Sequence, residues 1–274
     1  MSQPDLALLT VSDLVIDGPA GQLVHGVSFA VPRGGALGIV GESGSGKTLT
    51  CRSLLGILPP GVRVTAGSIE FDGRDLTTID DRGWRGLRGT HVSAVFQDPG
   101  SYLNPSVAVG KQLAEVLRVK SHLPRRESKS RAIELLGSMG LRSPELVYWQ
   151  YPYELSGGML QRVLIAIAVC ENPELLIADE ATTALDVTVQ AEVLDVLADL
   201  RSRRGLALVL VSHDLAVVAQ VCDEIIVVQN GRVVEAGSSQ EVLRSPRHEY
   251  TRRLVRDHAR YGLEKHLAAE FVDA

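Results

Sequence analysis

The segment Gly41-Glu42-Ser43-Gly44-Ser45-Gly46-Lys47-Thr48 has the residue types and spacing to hold a nucleoside triphosphate. Its glycines let the main chain curl without Cβ clashes, so that successive N–H groups converge on phosphate oxygens at the start of a helix. Lys47 then reaches the β/γ-phosphates and Thr48 offers its hydroxyl to Mg²⁺, with Leu49 carrying the segment into the helix.

Two further groups suit the same chemistry. Leu175-Leu176-Ile177-Ala178-Asp179-Glu180 is a buried strand that ends in two carboxylates. At the carboxyl end of a parallel sheet, Asp179 can bind Mg²⁺, directly or through water, and Glu180 can polarise an attacking water. Leu155-Ser156-Gly157-Gly158-Met159 precedes a helix over Leu160 to Val169 and forms a second small-residue helix start able to meet an anion. One nucleotide does not need two γ-phosphate cradles. The second is most simply explained if it serves a nucleotide on another subunit.

These residues need an α/β scaffold, and the chain's periodicity supplies one. Leu8 to Val11, Val27 to Val31 and Ser68 to Phe71 read as strands, as do Ala36 to Val40 before the loop and Val92 to Phe96. From about Pro105 to Ala168 the period is helical, with Val109, Leu113, Val116 and Leu117 on one face. A second helix follows Pro124 through Ile133, Leu135 and Leu136, so this stretch reads as an inserted helical lobe. Leu175 to Ala178 and Leu206 to Val211 are continuous apolar strands, with Val187 to Leu200 as the crossover helix between them. Glu224 to Gln229 and Arg232 to Glu235 flank Asn230-Gly231, a hairpin turn.

Composition narrows the function. With 274 residues, 45% hydrophobic but only 4% aromatic, the core must be built from Val, Leu, Ile and Ala. A net charge of −5 with scattered Lys and Arg argues against nucleic acid as a partner. Cys51, Cys170 and Cys222 lie far apart among apolar residues and read as buried reduced thiols. Met1 to Asp5 lacks the pattern of a signal peptide, and no apolar run reaches the ~20 residues of a membrane span. His248, His258 and His266 are spaced too irregularly to chelate a metal from one helix face.

Taken together, the motifs resemble those of the ATP-binding cassette ATPases, in the right order over nearly the whole chain. The resemblance implies a P-loop NTPase (RecA-like) α/β core with an antiparallel β-subdomain and an inserted α-helical subdomain. One cassette would fill residues 1–274: core at 1–98 and 171–240, helical subdomain at 99–170, helical tail at 241–274. It implies that Gln97 senses Mg²⁺ and the water and links to the transmembrane partner. It further implies that Ser156, Gly157 and Gly158 contact ATP on the opposite subunit, that Ala184-Leu185-Asp186 is the dimer-contacting loop, and that His213 contacts the γ-phosphate. ATP and Mg²⁺ are the expected ligands.

Phe96-Gln97-Asp98-Pro99, Leu103-Asn104-Pro105, Ser156 to Arg162 and Ser245 to Thr251 resemble the oligopeptide, dipeptide and nickel importer branch. Leu23 to Ser28, Leu49 to Cys51, Leu55 to Pro59, Gly61 to Arg63 and Tyr261 to Glu264 resemble its nickel-import subunits. The expected function is ATP hydrolysis that drives uptake of nickel, another metal chelate or di/oligopeptides. The expected partners are a second cassette in a heterodimer, two permease subunits and, indirectly, a solute-binding protein. The expected place is the cytoplasmic face of the inner membrane. The rival readings are a soluble cassette ATPase uncoupled from transport, which would carry long coiled-coil insertions or two cassettes, and a P-loop kinase, which does not need Leu155 to Gly158. Leu14 to Pro19 lacks the aromatic residue the family usually stacks on adenine, which leaves Ile16 or Val24 to meet the base. No cysteine follows Cys222, so no iron–sulfur cluster is expected.

Overall fold

β-Branched runs on both sides of the phosphate loop pair into one antiparallel sheet, Ala7–Gly18 with Gly21–Pro32 before it and with Arg63–Phe71 after it. The computed structural model describes residues 7–182 and 185–259. In chain order these form β1 (Ala7–Gly18), β2 (Gly21–Pro32), β3 (Ala36–Val40), α1 (Lys47–Leu54), β4 (Arg63–Phe71) and β5 (Arg74–Asp75). Next come α2 (Asp81–Leu87), β6 (Val92–Val95), α3 (Val109–Lys120), α4 (Arg125–Ser138), α5 (Pro144–Val147) and α6 (Gly157–Ala168). Then follow β7 (Leu175–Asp179), α7 (Val187–Arg204), β8 (Ala207–Ser212) and α8 (Leu215–Val221). The series closes with β9 (Glu224–Gln229), β10 (Arg232–Ser238), α9 (Ser239–Arg244) and α10 (Glu249–Ala259). The chain divides into two compact units, one built from the stretch up to Thr78 and from Val209 onward, the other from Ile79–Leu208.

The first unit holds an antiparallel sheet ordered β2-β1-β4-β5 and a second set of strands ordered β10-β9-β3-β8. In the antiparallel sheet Ile16 pairs with Val24 and Leu9 with Phe71, and these side chains are buried. β3 runs parallel to β9, with Leu37 opposite Glu224 and Val40 opposite Val227. All five residues of β3 are buried, as expected of a strand covered on both faces. Asn230 and Gly231 both have positive φ, 49° and 73°, the backbone that a two-residue hairpin loop needs, and β9 pairs antiparallel with β10.

In the second unit β6 and β7 are parallel, with Val92 opposite Leu175 and Val95 opposite Ala178. β7 is buried throughout. The helical stretch forms as its periodicity predicts: α3 buries Val109, Leu113 and Leu117, and α4 buries Ala132, Leu135 and Leu136. Val116 and Ile133, placed on those faces by spacing, are only half-buried. α7 serves as the long helix after β7, running four residues beyond the expected Leu200 to a Gly205 cap with φ 63°. Cys51, Cys170 and Cys222 are buried and no disulfide joins them.

Candidate functional site

Gly41 to Thr48 lies between β3 and α1, the strand–loop–helix context its sequence demands. Gly46 adopts φ 102° as the residue before α1, a conformation that other residues rarely take. Lys47 is 3% exposed, and its Nζ donates to the carbonyls of Gly41 (2.7 Å) and Glu42 (2.9 Å). The loop is braced from outside. Gly231, in the β9–β10 turn, donates its N–H to Ser45 O (2.9 Å) while its own carbonyl accepts from His25 N (2.8 Å).

Two observations accord with a loop that takes a phosphate chain. The Ser45 hydroxyl is buried without a hydrogen-bond partner, and a Cβ added at Gly44 would meet nothing within 4 Å. A buried hydroxyl that finds no partner in the protein is costly unless a ligand supplies one. His213 is exposed just past β8, in a turn where Asp214 N donates to Ser212 Oγ (2.9 Å) and Asp214 Oδ1 accepts from Ala216 N (2.8 Å). The backbone around this exposed histidine is therefore fixed. Ile16 and Val24 have no exposed surface to offer a base, because they pair on the inward face of β1 and β2. Leu23 is the apolar neighbour of the loop with surface to give, at 37% exposed, and its carbonyl lies 3.4 Å from where a Gly46 Cβ would stand.

In the second unit, Asp179 is the last residue of β7 and is buried; Glu180 follows, half-buried, with φ 50°. Gln97 is exposed, two residues past the end of β6. Ser156 is the N-cap of α6, accepting from Met159 N at 3.3 Å, and so the helix starts at Gly157 rather than at the expected Leu160. A Cβ at Gly158 would lie 2.0 Å from Val189 Cγ1, so only glycine lets the start of α6 approach α7 this closely. Asp186 is likewise an N-cap, its Oδ1 accepting from Val189 N at 3.0 Å at the start of α7. Ser156 to Gly158 and Asp186 are thus assembled side by side, a proximity their spacing did not reveal. Ala184 lies outside the described residues.

Gln112 carries no motif in the sequence, yet its amide accepts from Asn104 N (2.9 Å) and donates to Asn104 O (3.0 Å) and Val107 O (2.7 Å), ordering the segment after Gln97. It also lines a cavity of about 350 Å³ with Val95, Phe96, Tyr102, Val116 and Ile167. Phe96 stacks on Tyr102 at 5.3 Å. An aromatic pair flanking Gln97 was the signal available in the sequence.

A parallel sheet with a glycine-rich loop running into a helix defines a nucleotide-binding α/β protein of the phosphate-loop class. The model of the ABC transporter family matches residues 24–183. The chain is 43% identical over 249 residues to the oligopeptide transport ATP-binding protein OppD of Bacillus subtilis, covering 89% of this chain and 70% of that protein. It is 41% identical over 264 residues to the dipeptide transport ATP-binding protein DppD of Escherichia coli, covering 95% and 81%. Among solved structures, cbiO1 of Clostridium perfringens, part of the complex cbiONQ, superposes with TM-score 0.77 at 27% identity, over 96% of this chain and 99% of that one. The dimeric cassette MJ0796 bound to ADP and phosphate gives TM-score 0.73 at 25% identity, over 84% and 98%. The chain belongs to the ABC transporter family, has the ABC ATPase fold, and is an ATPase whose hydrolysis is coupled to transport.

Proposed function

We propose that this chain is one ATP-hydrolysing subunit of a multi-subunit importer of di- or oligopeptides, acting with a second cassette and two permease subunits fed by a solute-binding protein. The buried Lys47 beneath the phosphate loop, beside the partnerless Ser45 hydroxyl, carries the nucleotide half of this reading. Similarity to peptide-transport subunits over most of the chain supports the transport half.

Gly41 to Leu49 take the triphosphate, with Lys47 on the β/γ-phosphates. Thr48, Gln97 and Asp179 offer a hydroxyl, an amide oxygen and a carboxylate, an all-oxygen donor set suited to Mg²⁺, which when bound would neutralise phosphate charge. Glu180 orients and deprotonates the attacking water, and His213 donates to the γ-phosphate. Ser156, Gly157, Gly158 and Asp186 serve the nucleotide of the partner cassette, so catalysis requires face-to-face closure. Among the described residues no helix is long and apolar enough to cross a membrane, so attachment at the cytoplasmic face is through the permeases. The cavity behind Phe96 and Gln112 is the surface offered to them.

Ser156→Arg in the reconstituted complex tests the shared site: hydrolysis at the partner's nucleotide should fall while ATP binding at Lys47 is unchanged. Wild-type turnover would contradict it. A nickel or metal-chelate cargo is the second reading, favoured by the phrases Leu23 to Ser28 and Leu55 to Pro59. Uptake of a labelled dipeptide against labelled nickel in a strain deleted for this chain separates the two.

A further inference from the structure

Glu42, at the opening of the phosphate loop, is held at three points. The backbone N–H of Glu42 donates to the Tyr250 hydroxyl at 2.8 Å, its carbonyl accepts from Lys47 Nζ at 2.9 Å, and its carboxylate accepts from Arg253 Nη2 at 2.7 Å. Tyr250 is 4% exposed, and the Arg253 guanidinium sits 5.3 Å from its ring centre. Three residues apart on α10, the two side chains share one helix face.

That helix is itself fixed. Glu235 on β10 accepts from Arg247 N (2.7 Å) and His248 N (3.0 Å) just before α10 begins. Burial alone would push the Glu235 carboxyl up, but these N–H donors and the neighbouring His248 outweigh it and hold it below the usual range. Thr251 and Leu254 are buried, and α10 packs on α8. Burial also raises the Tyr250 phenol, which therefore keeps its proton at neutral pH.

We propose that α10 is a positioning element for the phosphate loop: Tyr250 and Arg253 hold the Glu42 peptide where Lys47 can serve the β/γ-phosphates. This rests on the reading of Gly41 to Thr48 as the triphosphate site. A glycine-rich loop has little conformational preference of its own, so an outside anchor reduces the entropy lost when phosphate orders it. Because Lys47 bonds the carbonyls of Gly41 and Glu42, the ammonium follows this peptide, and the helix sets both.

The test is ATP titration of the intact chain, beside a thermal melt and, in the assembled complex, kcat and KM for ATP. Tyr250→Phe removes one neutral hydrogen bond and should weaken ATP binding roughly fivefold. The loss should appear in KM, with kcat little changed. Arg253→Met, at an ion pair whose arginine is 52% exposed, should weaken it roughly twofold, less at high salt. In a Glu42→Ala background Arg253→Met should be silent while Tyr250→Phe still weakens binding, because Tyr250 holds the backbone. A merely structural role would lower the melting temperature and leave the ATP Kd of the folded fraction unchanged. Wild-type Kd in both Tyr250→Phe and Arg253→Met, with Lys47→Ala weakened, would overturn the proposal alone. Wild-type Kd in Lys47→Ala as well would overturn the loop reading and the proposal together.

Discussion

Gln97 and Glu180 leave neighbouring parallel strands at the same step: Val95 pairs with Ala178, and each polar residue stands two positions further on. Adjacent strands lie about 4.8 Å apart, so the two residues follow the carboxyl ends of β6 and β7 at the same level. Parallel pairing in register is what makes two residues 83 positions apart in the chain serve one edge.

Glu180 has φ 50°, a left-handed backbone that a side-chain-bearing residue adopts at a cost of about 1–2 kcal/mol. Glu180→Gly should therefore stabilise the fold by about 0.5–1 kcal/mol in urea unfolding while hydrolysis is lost. Unchanged or reduced stability would show that the strain is absent.

Gly158→Val should destabilise the chain by about 1–3 kcal/mol, since its side chain would occupy the space of Val189. Gly157→Ala, where the nearest atom to a new Cβ is 3.4 Å away, should be near neutral on the same unfolding curve. Equal effects of the two would refute the close approach of α6 and α7.

Burial, with the nearby Glu171 charge, raises the Cys170 thiol from its ordinary value of 9.0 to about 11. The folded chain thus keeps a proton that the unfolded chain gives up. The resulting stability is fully present below pH 9 and is lost as pH rises toward 11. Cys170→Ala should flatten the stability profile across that window relative to wild type, and Cys170 should resist alkylation at pH 8 under native conditions. An unaltered profile or rapid alkylation would contradict its burial.

The parts legible in the sequence were local ones. The phosphate loop, the apolar runs of β7 and β8, the Asn230-Gly231 turn and the helical period of α3 and α4 each follow from residue type within a few positions. What stayed hidden depends on long-range placement. Nothing near Glu42 announces Tyr250, 208 positions later, although the segment Ser245 to Thr251 stood out as a motif without a role. Ile16 or Val24 was expected to meet adenine, yet the β1–β2 pairing turns both inward, and pairing register is not written in either strand alone. The bracing of Ser45 by Gly231 likewise joins two recognised motifs whose contact neither predicts.

The role proposed for Glu180 is to hold the attacking water, and Glu180→Gln isolates that role because volume and backbone are kept while the base is removed. In the complex reconstituted with the second cassette and permeases, ATP affinity should stay at the wild-type value and single-site hydrolysis should fall by at least roughly a hundredfold. Hydrolysis by the variant at the wild-type rate would contradict the account.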